Sequence, residues 1–120
     1  MKSFIISTVI FALLIAAIAC NAFYVKTVSE HILNESQRLA DEDYSLTVIT
    51  DLEEYWKKHR AFVGLSVGHL ELDHLSETLI SLRASCESGS RADAALYLSL
   101  LHDAAQEMAR HEELSFENLF

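Results

Sequence analysis

Proline is absent from the chain, and glycine occurs only at positions 64, 68 and 89 of its 120 residues. These two residue types interrupt helices most often, so very few positions here break a helix. Leucine, alanine, glutamate and serine are common, and runs that favour strands are few. The composition therefore predicts an all-α fold, with room for one small domain around a single core.

Cysteine is also scarce, with only Cys20 and Cys86 in the chain. One lies in an apolar segment and the other near the end of a distant predicted helix, so they do not form a disulfide framework. No serine, cysteine or lysine lies in a recognisable nucleophile motif, and there is no glycine-rich phosphate loop. We therefore predict a protein that is not an enzyme and that needs no cofactor.

Positive charge is the third deficit, since 9 Lys and Arg stand against 18 Asp and Glu, a net charge of −9. Such a surface repels phosphate backbones, so nucleic acid is not an expected partner. Residues 55–60, YWKKHR, concentrate much of the positive charge. They are either a docking surface for an acidic partner or, as we favour, ion-pair partners for carboxylates on their own and adjoining helices.

The segment Phe4 to Val25 carries no charge. As a helix it is about 33 Å long, enough to cross a hydrocarbon core of about 30 Å. Lys2 on its N-terminal flank favours an N-terminus in the cytoplasm. We predict a signal-anchor helix over residues 1–25 and an extracytoplasmic helical bundle domain over residues 26–120, in a single-pass protein of the cytoplasmic membrane.

Two alternatives to an uncleaved anchor remain open. The residues AIAC at 17–20 resemble a lipobox in which Cys20 would be lipidated, and Ala17 with Ala19 resembles a signal-peptidase site. Both alternatives also place the domain outside the cytoplasm.

Apolar residues after the segment recur at helical spacing. We expect the anchor helix to continue to about Ala40, the carboxylates of residues 41–43 to cap a second helix, and Ser90 with Asp93 to cap a fourth. The pattern predicts an antiparallel helical bundle. The residues expected on its inner faces are Val48, Ile49, Leu52, Tyr55, Trp56, His59, Phe62 and Val63 in the second helix, Leu72, Leu75, Leu79, Leu82 and Cys86 in the third, and Ala94, Leu98, Leu101, Ala105 and Met108 in the fourth.

The stretch GHLELDH, residues 68–74, contains His69, Glu71, Asp73 and His74. On an extended backbone the first three could share a face and bind a metal, with His102 or His111 as a further ligand. We favour a structural interpretation, in which Gly68 helps to end the second helix and Asp73 caps the third by accepting the amides of Leu75 and Ser76. Leu70 and Leu72 would then fill the core beneath the corner.

An apolar N-terminal span, DLEEYWKKHRAF, HLELDHLSETLISL and a last helix ending in EELSFENLF together resemble a bacterial family, mainly from Firmicutes, catalogued as domain of unknown function 4363. The similarity covers nearly the whole chain. Its most specific parts are Trp56 with Lys58, His59 and Arg60, the corner at His69, Glu71, Leu72 and Asp73, and the tail from Ser115 to Phe120. Phe116 and Leu119 stand where the family usually has aliphatic residues, and Gly64 and Gly68 are less typical. The resemblance implies a membrane-anchored helical protein of Gram-positive bacteria and assigns no catalytic residue.

These observations predict an interaction or accessory module with a membrane or envelope protein as partner. The alternative is a ligand- or metal-sensing helical domain that uses His69, Glu71 and Asp73. The tail is apolar for a chain terminus, so it either packs on the bundle or docks a partner. The candidate interaction residues are Trp56, His59, Arg60, Phe116, Leu119 and Phe120.

Overall fold

The structure is a computed structural model that describes residues 1–65 and 67–119, with side chains described as far as His111. Its elements in this part of the chain are four helices: α1 (Lys2–Asp41), α2 (Leu46–Val63), α3 (His69–Ser88) and α4 (Arg91–Leu119). The predicted all-α fold is confirmed.

Helix α1 is one unbroken element of 40 residues, and it ends one residue after the expected Ala40. Its N-terminal part is the only helix among the described residues that is long and apolar enough to cross a membrane, and none of that stretch is buried. From Val25 onward α1 changes character, because Val25, Val28, Ile32 and Leu39 are buried in the core. One helix therefore carries both an exposed apolar segment and a quarter of the bundle.

The bundle closes as a ring in which α1 packs against α2 and α4, and α3 packs against the same two helices. Short turns join consecutive helices, so their directions alternate and the predicted antiparallel bundle is confirmed. The core contains the residues Val25, Val28, Ile32, Leu39, Val48, Ile49, Leu52, Trp56, Val63, Val67, Leu72, Leu75, Leu79, Leu82, Ala94, Leu101, Ala105 and Met108. Ser29 of α1 faces α4 and donates a hydrogen bond to the carbonyl of Ala105 at 2.6 Å.

The turn between α1 and α2 corrects the first capping prediction. Asp41 is the last residue of α1 and Glu42 its C-cap, so these carboxylates belong to the preceding helix. Asp43 and Tyr44 then adopt left-handed conformations with φ of 59° and 60°. The cap of α2 is Ser45, whose hydroxyl accepts the amide of Thr47 at 3.3 Å.

The turn between α2 and α3 corrects the prediction that Gly68 helps to end α2 and that Asp73 caps α3. Helix α2 ends at Val63 with Gly64 as its C-cap, and α3 begins at His69 after an extended Gly68. Because α3 starts earlier than expected, Asp73 lies inside it and caps nothing. Leu72 does fill the core, but Leu70 is 87% exposed.

The third turn agrees with the sequence more closely. Gly89 ends α3 in the left-handed conformation at φ 73°. The hydroxyl of Ser90 accepts the amide of Asp93 at 3.4 Å, so the predicted cap of α4 is present.

The two ends of the bundle differ. At one end the exposed part of α1 enters, and the ring of Tyr24 meets the edge of Phe62 near the end of α2 at a centroid distance of 6.3 Å. Gly64, Val67 and Gly68, which belong to the α2–α3 turn, lie at this end, which we call the proximal end. The α1–α2 and α3–α4 turns lie at the opposite, distal end, where the guanidinium of Arg91 pairs with the carboxylate of Asp43.

Candidate functional site

Helices α2 and α3 enclose an open groove on the side of the bundle, which we call the α2–α3 groove. The apolar side chains that line it are Trp56, Ala61, Leu65, Leu72, Leu79 and Ile80. Trp56, Leu72 and Leu79 are buried and form its floor, whereas Leu65 and Ile80 are exposed at its rim. Apolar area that stays in contact with water between two packed helices is a common feature of recognition surfaces.

Side chains bridge this groove at three levels. The indole nitrogen of Trp56 donates to the hydroxyl of Ser76 at 2.9 Å, and the guanidinium of Arg60 binds the carboxylate of Asp73 at 3.0 Å. Nearer the distal end Arg83 of α3 pairs with Glu53 of α2. These bonds link α2 to α3 and hold the groove in one shape.

Arg83 belongs to a larger charged network than the other two bridges. It also donates to Glu87 at 2.8 Å and to the hydroxyl of Thr50 at 3.3 Å. Hydrogen bonds to Glu53 and then to Glu87 raise the pKa of the guanidinium above its usual value. Arg83 therefore stays charged and fastens the C-terminal part of α3 to the N-terminal half of α2.

The cationic stretch at residues 55–60 is distributed over two surfaces, because Lys57 and Arg60 line the α2–α3 groove while His59 faces α1. Arg60 pairs with Asp73 of the adjoining helix, which is the kind of contact favoured from the sequence. Lys57 is exposed and lines the α2–α3 groove together with Arg60 and His69. The groove therefore has a partly cationic rim although the whole chain is acidic.

The candidate metal corner is divided by helix geometry. Residues three or four apart share a helix face, so His69 and Asp73 face the groove while Glu71 and His74 face α4. On the α4 side His111 Nδ1 lies 2.5 Å from Glu71 Oε1. Among the described residues no group of three or more His, Cys, Asp or Glu side chains could hold a metal ion.

A second polar cluster, which we call the Tyr–His row, lies on the seam between α1 and α2. The hydroxyl of Tyr24 is hydrogen-bonded to Nδ1 of His59. The ring of Tyr55 lies between His59, at a centroid distance of 4.3 Å, and His31, which stacks on it at 3.8 Å. Four aromatic rings from two helices therefore form one continuous row of contacts, in which the His31–Tyr55 pair is stacked and the other two pairs are tilted.

The surroundings of the row shift its acid–base properties. Burial lowers the pKa of His59, and the positive charges of Lys58 and His31 lower it further. Burial also raises the pKa of Tyr55, with a smaller contribution from Tyr24. Both shifts favour the uncharged forms of the side chains inside the row.

Sequence reasoning found half of this row. It placed Tyr55 and His59 on the inner face of α2, where both side chains are indeed half-buried, but it singled out neither Tyr24 nor His31 on α1. The overlooked signal is spacing: Tyr24 and His31 are seven apart on α1, while Tyr55 and His59 are four apart on α2, so each pair shares one helix face.

The tail residues fall at the limit of the structure. The backbone of α4 is helical to Leu119. The side chains of Phe116 and Leu119, and Phe120 as a whole, lie outside the described residues, so both interpretations of the tail stay predictions.

No protein-family model, curated protein or solved structure matches the chain. Its function is therefore inferred from its own geometry.

Proposed function

We propose that the protein is a non-enzymatic accessory module, anchored in the cytoplasmic membrane by α1 with its N-terminus inside and its bundle outside. Its α2–α3 groove would hold a helix of a membrane or envelope partner. The observation that carries this proposal is the groove itself, with a buried floor at Trp56, Leu72 and Leu79 and exposed apolar side chains at its rim.

The shape of the groove suits a helix. It runs between two antiparallel helices, and an amphipathic helix binds such a surface with apolar residues spaced three and four apart. The exposed Lys57 on one rim favours a partner whose apolar stripe is flanked by an acidic residue, whereas Arg60 is paired with Asp73 and Glu53 with Arg83.

The polar groups around the groove support binding rather than catalysis. Trp56 is bonded to Ser76 and Arg60 to Asp73, so these groups serve one another across the groove. A catalytic site instead needs a nucleophile or base directed at a position where a reacting atom can lie.

The anchored topology is supported by α1. None of the residues in its most apolar stretch is buried in the bundle, the stretch is long enough to span a bilayer, and Lys2 precedes it. The resemblance to the membrane-anchored bacterial family has the same implication.

The alternative function, a sensor of ligand or metal, receives no support from the arrangement of its residues. It required His69, Glu71 and Asp73 on one face, and α3 places Glu71 against His111 on the opposite side.

Site-specific photo-crosslinking tests the proposal. A photoreactive residue at Ala61, inside the groove, should crosslink one discrete membrane or envelope protein in native membranes. The same residue at Leu96, which is exposed on α4, should not. Adding Ile80→Asp should abolish the Ala61 crosslink without changing the thermal melt, because Ile80 is exposed, whereas Leu96→Asp should leave the crosslink intact. Equal crosslinking from both positions, or a crosslink that survives Ile80→Asp, would contradict a specific groove.

A further inference from the structure

The end of α4 runs past the proximal end of the bundle, beside α1. The two helices are antiparallel, and the hydroxyl of Ser29 on α1 is bonded to the carbonyl of Ala105 on α4. Ala19, ten residues before Ser29, therefore lies level with position 115, ten residues after Ala105. The backbone of α4 is helical through residues 112–119, which we call the α4 extension, so this segment lies alongside the part of α1 that precedes the bundle.

The exposure of α1 indicates the same contact. Residues 4–14 are all exposed, whereas Ile15, Ala19 and Ala22 are partly shielded. The shielded residues are four and three apart, so they share one helix face, and Ser29 continues that face toward α4. Helices α2 and α3 turn back at the proximal end, so the α4 extension is the element that shields this face.

A bilayer requires the same part of α1. Residues 2–14, which precede the shielded face, rise only about 20 Å as a helix. The hydrocarbon core is about 30 Å thick and takes about 20 helical residues, which is the length from Phe4 to Phe23. Residues 15–22 are therefore needed both to cross the bilayer and to pack against the α4 extension.

We propose that insertion of α1 into the bilayer releases the α4 extension, which covers one face of the anchor in water and is free at the membrane surface. The bundle itself stays folded. This inference rests on the proposed membrane anchoring of α1, and it is independent of the partner of the α2–α3 groove.

The bilayer removes the reason for the contact. In water the α4 extension shields apolar atoms of α1, but lipid chains shield them equally well, and no hydrophobic force then holds the two helices together. The shielded side chains of α1 named above are one isoleucine and two alanines, so little packing is lost.

The α4 extension is also a poor membrane segment. Its sequence, EELSFENL, contains Glu112, Glu113 and Glu117. If it remained beside α1, it would carry carboxylates into the hydrocarbon or to its edge, and charged groups there are expensive. Water at the membrane surface keeps the carboxylates hydrated, so release is the arrangement of lower free energy.

The rest of α4 is held up to the same boundary. Met108 is buried in the core, and His111 Nδ1 lies 2.5 Å from Glu71 Oε1 on α3. By the register of the Ser29 bond, His111 lies level with Phe23. The packed part of α4 therefore ends where α1 would leave the hydrocarbon.

Release would join the two interpretations of the tail. Phe116 and Leu119 belong to the α4 extension, so a partner would reach them only in the anchored protein. The tail would then be a docking segment that becomes accessible on insertion.

Thiol crosslinking of the full chain, with both native cysteines changed to alanine, tests the inference. The test variant carries Ala19→Cys with Phe116→Cys, which join α1 to the α4 extension. The matched control carries Lys26→Cys with Ala109→Cys, which have the same register in the packed part and line one cleft between the helices. Each chain is made by cell-free synthesis, without lipid or with phosphatidylcholine nanodiscs, and then treated with a short, membrane-permeable bis-maleimide.

A spin label at Leu14, in a separate variant, reports whether α1 is anchored. Leu14 is exposed, so the label should not disturb the core. Collision of the label with oxygen, which concentrates in lipid, is compared with its collision with a water-soluble nickel chelate.

Without lipid, both pairs should crosslink within one chain. In nanodiscs the control pair should still crosslink and the label at 14 should be lipid-exposed, while the yield for 19 and 116 falls severalfold. An unchanged yield for 19 and 116 beside a lipid-exposed label at 14 would overturn the inference and leave the anchor intact. A water-exposed label at 14 would overturn the anchor and the inference together.

Two further results would also overturn the inference. Failure of 19 and 116 to crosslink without lipid would show that the α4 extension does not cover α1. Loss of the control crosslink in nanodiscs would show that the bundle opens as a whole, instead of releasing one segment.

Discussion

At the scale of single residues, the Tyr–His row couples the fold to pH. Burial, and then the charges of Lys58 and His31, lower the pKa of His59 and so favour its neutral imidazole in the folded protein. A histidine whose folded pKa is below its unfolded value binds fewer protons in the folded state. Stability is therefore complete above the unfolded pKa of about 6.5 and decreases as pH falls through that value.

We predict that the melting temperature of the protein falls between pH 7.5 and pH 5.5, and that His59→Gln reduces this fall. Glutamine keeps a group that can accept the hydroxyl of Tyr24 but does not titrate. Differential scanning calorimetry at the two pH values measures the difference. His102→Gln is the control, because His102 is exposed on α4, and it should keep the dependence of the unaltered chain. An unchanged pH dependence in His59→Gln would show that another group controls it.

Caps provide a second test at this scale. Ser45 caps α2 through the amide of Thr47, so Ser45→Ala should lower the free energy of unfolding by about 0.5–2 kcal/mol, while Ser45→Asp should have little effect. Asp73 makes only a half-exposed ion pair with Arg60, so Asp73→Ala should cost no more than about 1 kcal/mol. Urea denaturation of the three variants gives these values. A larger loss of unfolding free energy in Asp73→Ala than in Ser45→Ala would contradict this assignment and show that Asp73 stabilises the α2–α3 turn.

At the scale of helices, the sequence predicted the existence of the elements and their inner faces well, except that Phe62, expected on the inner face of α2, is 62% exposed. It predicted the turns poorly. Repeats at three and four, such as Leu72, Leu75, Leu79 and Leu82, persist over several turns and depend only on helix geometry. Caps depend on where the chain leaves the helix, which several neighbouring polar residues could decide. Asp41, Glu42 and Asp43 were all chemically suited to cap α2, yet α1 continued through the first of them and Ser45 took the role.

The glycine between α3 and α4 tests the turn geometry directly. Gly89 has φ 73°, which costs a residue with a side chain about 1–2 kcal/mol, so Gly89→Ala should destabilise the protein by that amount. Gly68→Ala is the matched control, since its φ is −65° and an added Cβ meets open space. In Gly68→Ala the lower entropy of the unfolded chain should stabilise the protein, and the poorer N-cap of α3 should destabilise it. The two effects should nearly cancel. Chemical denaturation that finds equal losses for the two variants would contradict this assignment.

At the scale of the whole molecule, the direction of insertion decides where the groove lies. We predict that a reporter enzyme active only outside the cytoplasm, fused after Phe120, is active, because Lys2 favours retention of the N-terminus. A reporter active only in the cytoplasm should be inactive at the same position. The reverse result would place the bundle inside the cell and remove the envelope partner from consideration.

The sites also show what a sequence can and cannot predict. Trp56, His59 and Arg60 were selected because they lie in an unusual stretch, and they do reach two clusters in the structure. Their partners were not predictable, because Trp56 finds Ser76 and Arg60 finds Asp73 only once α2 and α3 are packed. The residues of the His69 corner are likewise close in the sequence, but α3 places them on two different faces of the helix.

The uninterrupted α1 has a mechanical consequence. It contains neither proline nor glycine from Lys2 to Asp41, so no hinge separates its two parts. Membrane helices tilt by about 20° on average, depending on bilayer thickness. A rigid rod that rises about 25 Å from Val25 to Asp41 would then swing its far end sideways by about 9 Å. Bilayer thickness would thus set the position of Arg91 and the distal turns relative to any neighbouring membrane protein.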